Sequence, residues 1–210
     1  MPTQIVMLDF DGVVADTLER FCTAMIAGLA ELGRDDLATR AGVLALLDDN
    51  WFAALERAGL DSTQRRRLNL VFQDAMRPYA ELPLFPGMRE AMSRIARRYA
   101  VVVVTSSTGA VVGEFLVAHG IDSVSRVIGS EVETSKVRKI GLVIAEYPPD
   151  ARAWYVGDTV GDIVEGRRAG ATTVAVTWGW HSAERLRAAA PDHVVTTPYE
   201  LAKLIEVATP

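Results

Sequence analysis

Residues 4–17 read QIVMLDFDGVVADT. The apolar run at 5–8 is short and unbroken, the pattern of a strand buried on both faces of a parallel sheet. It stops on two aspartates one residue apart, Asp9 and Asp11, with Gly12 directly behind. Asp-Gly is a common turn pair, because aspartate bonds its own backbone and glycine accepts a positive φ. A turn would account for these residues by themselves. The residues at the ends of the other apolar runs decide whether the two charges do more.

Those runs recur along the chain. Residues 99–105 (YAVVVVT), 152–158 (RAWYVGD) and 171–179 (ATTVAVTWG) read as strands like 3–8, with weaker candidates at 125–130 (SRVIGS) and 192–197 (DHVVTT). Helical patterns separate them: Met88, Met92, Ile95 and Ala96 share one stripe, and residues 162–170 end on Gly170, suited to a helix C-terminus. Alternating strand and helix predicts βαβ units in an α/β fold with a doubly wound parallel sheet. Residues 16–82 break the alternation. They hold no convincing strand and read as four helices, at about 17–33, 36–48, 50–58 and 62–78. The expected organisation is a catalytic core of 1–15 and 83–210, with 16–82 inserted as a helical cap. Ligands of open α/β sheets bind beyond the carboxyl ends of the strands. An insert leaving from the end of the first strand therefore stands over such a site, where a lid would be.

The bulk properties narrow the function. With 210 residues, half of them hydrophobic, the chain can bury a sizeable core. Its net charge of −5 and pI of about 5.3 argue against a nucleic-acid binder. No basic segment followed by an apolar stretch opens the chain, and no apolar run reaches the ~20 residues that span a bilayer. A cytoplasmic protein with no membrane partner is the expectation. The single cysteine, Cys22, lies between apolar neighbours and reads as a core residue. Of 22 basic residues only three are lysines, Lys136, Lys139 and Lys203, so a lysine here is more apt than usual to be needed as a compact charge.

The strand ends then carry a pattern. Asp9 and Asp11 follow the first strand; Thr105, Ser106 and Ser107 follow the second; Asp158 and Asp162 follow the fourth; Lys136 comes shortly after the third. Taken singly, Thr105 could be an ordinary strand-end hydroxyl, Asp158 a helix cap, and Lys136 a surface lysine. In a parallel sheet all these ends share one edge, so together they predict one acidic site with a lysine and hydroxyls. Two unit charges ~4 Å apart repel by about 4 kcal/mol at an effective dielectric of ~20. One lysine cannot offset four carboxylates, whereas a divalent cation can. Carboxylate, carbonyl and water ligands suit Mg²⁺, which takes one or two carboxylates plus a substrate phosphate.

The stretches DFDGVVADT, VVVVTSS and YVGDTVGD, together with Lys136, resemble the four motifs of the haloacid dehalogenase superfamily. The continuation AGATTVAVTWG and the helical insert are similar to its phosphoglycolate phosphatase-like branch, with a Rossmann-like core and a cap. The resemblance implies a Mg²⁺-dependent phosphatase acting on a small phosphorylated metabolite. Asp9 would be the nucleophile that forms an aspartyl-phosphate, and Asp11 the general acid and then base. Thr105, Ser106 and the amides beyond would hold the phosphoryl oxygens, with Lys136 steadying the charge. Asp9, Asp158 and the main-chain carbonyl of Asp11 would bind Mg²⁺, and Asp162 would orient the site. Family members that cleave carbon–halogen bonds lack an aspartate at the position of Asp11, so its presence favours phosphate esters. Val137 follows Lys136 where many relatives have proline, which leaves Lys139 as a rival for the lysine role.

Two other readings stand beside the phosphatase: a mutase of the β-phosphoglucomutase kind, and a non-catalytic phosphate-binding module. Arg40, Asp49, Asn50 and Trp51 are the candidate substrate-facing residues of the cap, although Asn50 also reads as a helix N-cap and Trp51 as cap core. Trp178, Trp180 and His181 could belong to the site rim, to a partner surface or to ordinary packing. His119 and His193 read as structural. The chain could be a monomer or a homodimer.

Overall fold

A computed structural model describes residues 4–208; residue 3, at the edge of the first expected strand, lies outside this range. Six strands form one parallel sheet: β1 (Ile5–Leu8), β2 (Ala100–Val104), β3 (Arg126–Ile128), β4 (Ala153–Gly157), β5 (Thr172–Val176) and β6 (His193–Val195). Their order across the sheet is β3-β2-β1-β4-β5-β6. The chain steps outward from β1 to β3, then crosses back to lay β4 on the other side of β1. The topological switch therefore lies between β1 and β4.

The unbroken apolar runs are explained by burial on both faces. Val6 and Leu8 join Val101, Val103, Trp154 and Val156 on one face, while Ile5 and Met7 join Val102, Val104 and Tyr155 on the other. The first face is covered by α5 (Met88–Ile95), α6 (Gly109–Ala118) and α10 (Pro198–Val207). The second is covered by α7 (Lys136–Ile144) through Ile140 and Val143. α8 (Val160–Arg168) and α9 (Ala183–Ala188) link β4, β5 and β6.

Between β1 and α5 come four helices: α1 (Leu18–Glu31), α2 (Arg40–Ala45), α3 (Trp51–Arg57) and α4 (Ser62–Ala75). The sequence pattern suggests helix from residue 36, but α2 starts only at Arg40. Thr39 caps it by accepting from the Gly42 amide, and it tightens into a 3-10 turn at Leu46–Asp48. α4 begins on a capping box, with Asp61 and Gln64 satisfying each other's free amides. α1 and α4 lie against each other at Gly28, where an added Cβ would come within 2.8 Å of Leu68. Cys22 is buried there with Phe21, Met25 and Leu29. The outgoing and returning chains run side by side: the Asp16 amide donates to Pro83 at 2.8 Å and the Phe85 amide to Val14 at 3.1 Å.

Candidate active site

Sheet register builds the site. Leu8 is paired with Val103 of β2 and Val156 of β4. One residue further, the Asp9 amide donates to the Val156 carbonyl at 2.9 Å. Asp9 therefore lies between the ends of β2 and β4, next to Thr105 and Asp158. Lys136 enters from the start of α7, where Ser135 caps the helix by accepting from the Arg138 amide. Its ammonium donates to Asp9 Oδ2 at 2.8 Å and to Asp162 Oδ1 at 2.6 Å. Burial alone would lower the Lys136 pKa; Asp162 and Asp9 outweigh it and hold the ammonium well above its usual range.

The rival lysine lies one helical turn further on. Lys139 is fully buried and donates to the Thr105 carbonyl, not to Asp9. Burial, with Lys136 adding repulsion, depresses its pKa from 10.5 to about 8. In the unfolded chain Lys139 keeps its proton up to its ordinary pKa, whereas the folded chain releases it near pH 8. Stability contributed by this group is therefore missing below pH 8 and recovered between pH 8 and 10.5, an amount of about 3 kcal/mol at most. Urea unfolding of the wild type and of Lys139→Met across that window checks this: the rise with pH disappears in the variant.

Asp11 has a different environment. Its Oδ1 accepts from the Thr17 hydroxyl at 2.9 Å and its Oδ2 from the Ser107 hydroxyl at 2.8 Å. Burial raises its pKa, with both hydroxyls and Lys136 acting the other way. A carboxyl held by two neutral hydroxyls in a buried position can carry a proton at higher pH than a free aspartate. Thr105 is fully buried and accepts from the Ser107 amide at 3.0 Å, which folds the loop after β2 back onto its own strand. Ser106 faces the cavity beside Asp9.

Asp158 and Asp162 divide the remaining work. Asp162 is saturated: Oδ1 receives Lys136 and the Tyr155 hydroxyl, while Oδ2 receives the Thr159 amide and hydroxyl and the Asp158 amide. Burial would raise Asp162; Lys136 and Thr159 outweigh it and leave the carboxyl below its ordinary pKa. Asp158 Oδ2 accepts from the Trp180 amide at 2.7 Å. Its Oδ1 is buried with no hydrogen-bond partner among the described residues. Burial, then Asp162 and Asp9, push Asp158 well above the usual carboxylate range, and burial above all raises Asp9 to about 7. An orphaned carboxylate oxygen beside two other acids is what a hard divalent cation would satisfy. Asp9, Asp158 and Asp162 each offer an oxygen within 4.8 Å of the others. The bonds already made by Asp162 leave Asp9 and Asp158 as the fitting carboxylate pair.

A cavity opens over Asp9, Asp11 and Lys136, roofed by residues of α1, α3 and α4. Trp51 lines it and also packs edge-on against Phe21 at 5.4 Å. Asn50 caps α3, accepting from the Ala53 amide, and its amide group donates to Glu165 at 3.0 Å and to the Thr134 carbonyl. It borders the adjoining cleft, not this cavity. Arg40 is not brought to the cavity: it lies on the outer surface in a two-pronged pair with Glu19 at 2.8 and 3.0 Å. The two tryptophans after β5 pack inward. Trp180 stacks on Phe21 with centroids 4.5 Å apart and lines the cavity, and Trp178 donates to the Val13 carbonyl. His181 is buried, accepting from the Val160 amide through Nδ1 with Nε2 bonded to the Leu44 carbonyl. His119 bonds the Leu82 carbonyl, and His193 lies against the Trp154 ring.

Sequence reasoning does not single out Thr17, Tyr155 or Glu165, and gives Ser107 no role of its own. Glu165 is within its reach, being one helical turn from Asp162 on the same face of α8. Thr17 hides inside the motif, six residues beyond Asp11. Tyr155 reads as any aromatic on a buried strand.

A model of the haloacid dehalogenase-like hydrolase family matches residues 6–176. Over 209 residues the chain is 28% identical to a phosphoglycolate phosphatase of Synechococcus elongatus, covering 96% of this chain and 97% of that one. It is also 28% identical to an N-acetylmuramic acid 6-phosphate phosphatase of Pseudomonas putida, covering 99% and 98%. Among solved structures, a predicted phosphatase from Clostridium acetobutylicum superposes with a TM-score of 0.78 at 18% identity, over 99% of this chain and all of that one, which shows the shared fold. No helix among the described residues is long and apolar enough to cross a membrane. The match spans β1 through β5 and takes in every acidic residue of the site, and the chain belongs to the haloacid dehalogenase-like hydrolase family.

Proposed function

We propose that this hydrolase is a Mg²⁺-dependent phosphatase that acts on a small phosphomonoester through a phosphorylated Asp9. The observation that carries the reading is the contrast between two neighbouring carboxyls. Asp9 is gripped by a cation at 2.8 Å, while Asp11 meets only two neutral hydroxyls in a buried position, where desolvation favours its protonated form. One is equipped as a nucleophile and the other as an acid–base.

Asp9 attacks phosphorus, and the bond from phosphorus to the ester oxygen breaks. The departing oxygen takes the proton from Asp11. Asp11, now a carboxylate, removes a proton from water as that water attacks the phosphorylated Asp9. The bond between phosphorus and Asp9 breaks, releasing phosphate and restoring both carboxyls. Lys136 neutralises charge on Asp9 throughout, and Asp162 fixes the lysine. Asp9, Asp158 and the main-chain carbonyl of Asp11 would hold Mg²⁺, which would supply positive charge against the phosphoryl oxygens in the loose transition state.

Phosphate release with Mg²⁺ and with chelator tests the reading; release that chelator leaves untouched overturns it. A sharper prediction concerns Asp11→Asn. Loss of a positioned general acid lowers the rate with an alkyl phosphate by roughly 10²–10⁴. Acetyl phosphate, whose leaving group needs no proton, loses much less in the phosphorylation step. In the wild type, single-turnover phosphorylation by the alkyl ester falls as pH rises through the elevated pKa of Asp11, because only the protonated form donates. That fall is absent from the acetyl phosphate profile.

A further inference from the structure

Much of the cavity over Asp9 is aromatic. Phe21, Trp51, Phe52, Phe72 and Trp180 all line the cavity over Asp9. Four of them form one wall, with Phe21 stacked on Trp180 and edge-on to Trp51 and Phe72, the last with centroids 5.7 Å apart. The wall runs from the insert to the loop whose Trp180 amide holds Asp158.

The charged groups around it have the wrong sign for an acidic substrate. Among the described residues that line the cavity, Lys136 alone is a cation, and it is engaged by Asp9 and Asp162. Asp49 and Glu165 also line it. Arg57, Arg65 and Arg138 face the adjoining cleft, each paired with an acid: Asp49, Glu56 and Glu133. Arg168 borders that cleft and not the cavity. A carboxylate on the leaving group would be desolvated among aromatic rings beside two acids, with no cation to receive it. The acids do not invite a cation either, since Asp49 is taken by Arg57 and Glu165 by Asn50.

We infer that the preferred substrate is the phosphate ester of an uncharged alcohol with a flat apolar or aromatic body, and that the site discriminates against carboxylate-bearing esters such as phosphoglycolate. This rests on the phosphoryl-transfer reading above. The flat body is recognised by stacking and edge contacts with the aromatic wall, which favour a ring over an extended polar chain.

Initial rates with Mg²⁺ on four substrates test it: benzyl phosphate, 2-phosphoglycolate, phosphocholine and acetyl phosphate. Acetyl phosphate has too little leaving group to engage the wall, so its hydrolysis reports phosphoryl transfer alone. The expected result is a kcat/KM for benzyl phosphate roughly 100-fold above that for phosphoglycolate, the scale on which a pocket rejects a mismatched group. Trp51→Ala narrows that ratio, and Asn69→Arg, which places a cation on the half-buried cavity wall of α4, narrows it by raising phosphoglycolate turnover. Acetyl phosphate turnover combined with equal or better use of phosphoglycolate or phosphocholine overturns the inference and leaves the phosphatase standing. A ratio that neither variant moves also overturns it. Failure to hydrolyse any of the four, acetyl phosphate included, overturns the phosphatase reading and the inference with it.

Discussion

Asp9→Asn abolishes phosphate release from every substrate, lowering kcat by roughly 10⁴ or more, while the protein stays folded. The substitution keeps the shape of the side chain and an oxygen that can accept from Lys136, so the 2.8 Å contact has a successor. What it removes is the anionic oxygen proposed to attack phosphorus, and the neighbouring acids cannot replace it. Asp162 has both oxygens occupied by five donors, Asp11 is bound at both oxygens by hydroxyls, and Asp158 is fixed by the Trp180 amide. None can turn toward a phosphate without breaking buried hydrogen bonds, which cost about 1–3 kcal/mol each when left unmade. The stability of the variant is the control. Native Asp9 is raised to about 7 chiefly by burial, so exchanging it for a neutral amide removes a desolvation penalty, and the melting temperature holds or rises. The measurement is Mg²⁺-dependent phosphate release together with a thermal melt. A folded variant retaining a tenth of wild-type turnover would falsify the nucleophile assignment.

Whether a residue's place is legible in the sequence depends on what puts it there. β1, β2, β4 and β5 can be found because burial on both faces leaves unbroken apolar runs, whereas the short, partly exposed β3 and β6 give weaker signals; the parallel arrangement is legible because helical stripes alternate with the strands. Once strand ends share an edge, Asp9, Asp11, Thr105, Asp158 and Asp162 are brought near one another by chain order alone. The choice between Lys136 and Lys139 is not legible, because both lie on α7 one turn apart and only the pitch of the helix decides which ammonium reaches Asp9. Arg40 shows the converse failure. Its charge and its place in the insert suit a substrate contact, but α2 turns it outward to Glu19. The aromatic wall is equally hidden. Phe21, Trp51, Phe72 and Trp180 come from four separate segments; Trp51 and Trp180 each read as either site or packing, nothing local marks Phe21 or Phe72, and only the packing of the insert over the sheet edge joins them.

Gly12→Ala is expected to damage stability and metal affinity together, from a position that donates nothing to the site. Gly12 adopts φ +81, which disfavours any L side chain. A Cβ there would lie 2.0 Å from Asp158 Oδ2 and 2.5 Å from its Cγ. Asp158 cannot retreat easily, because Gly179 closes on it from the other flank: a Cβ at Gly179 would come within 2.3 Å of Asp158 Cβ. Two glycine backbones thus clamp the fully buried carboxylate whose Oδ1 has no hydrogen-bond partner among the described residues. Gly33 supplies the comparison. It has φ +69 and nothing within 4 Å of its added Cβ, so Gly33→Ala carries only the backbone penalty of about 1–2 kcal/mol. Gly12→Ala adds steric displacement of Asp158, and a total loss of more than about 3 kcal/mol is expected, within the range of strained, overpacked core substitutions. Because the displaced group is a proposed Mg²⁺ ligand, the concentration of Mg²⁺ needed for half-maximal activity rises at least ~10-fold, as for loss of a group that orients a metal ligand. Gly33→Ala leaves that concentration unchanged. Urea unfolding and Mg²⁺ titration of the two variants separate the contributions. Equal losses of stability, with equal Mg²⁺ dependence, would mean that Asp158 moves freely and that the close approach of Gly12 has no part in holding it.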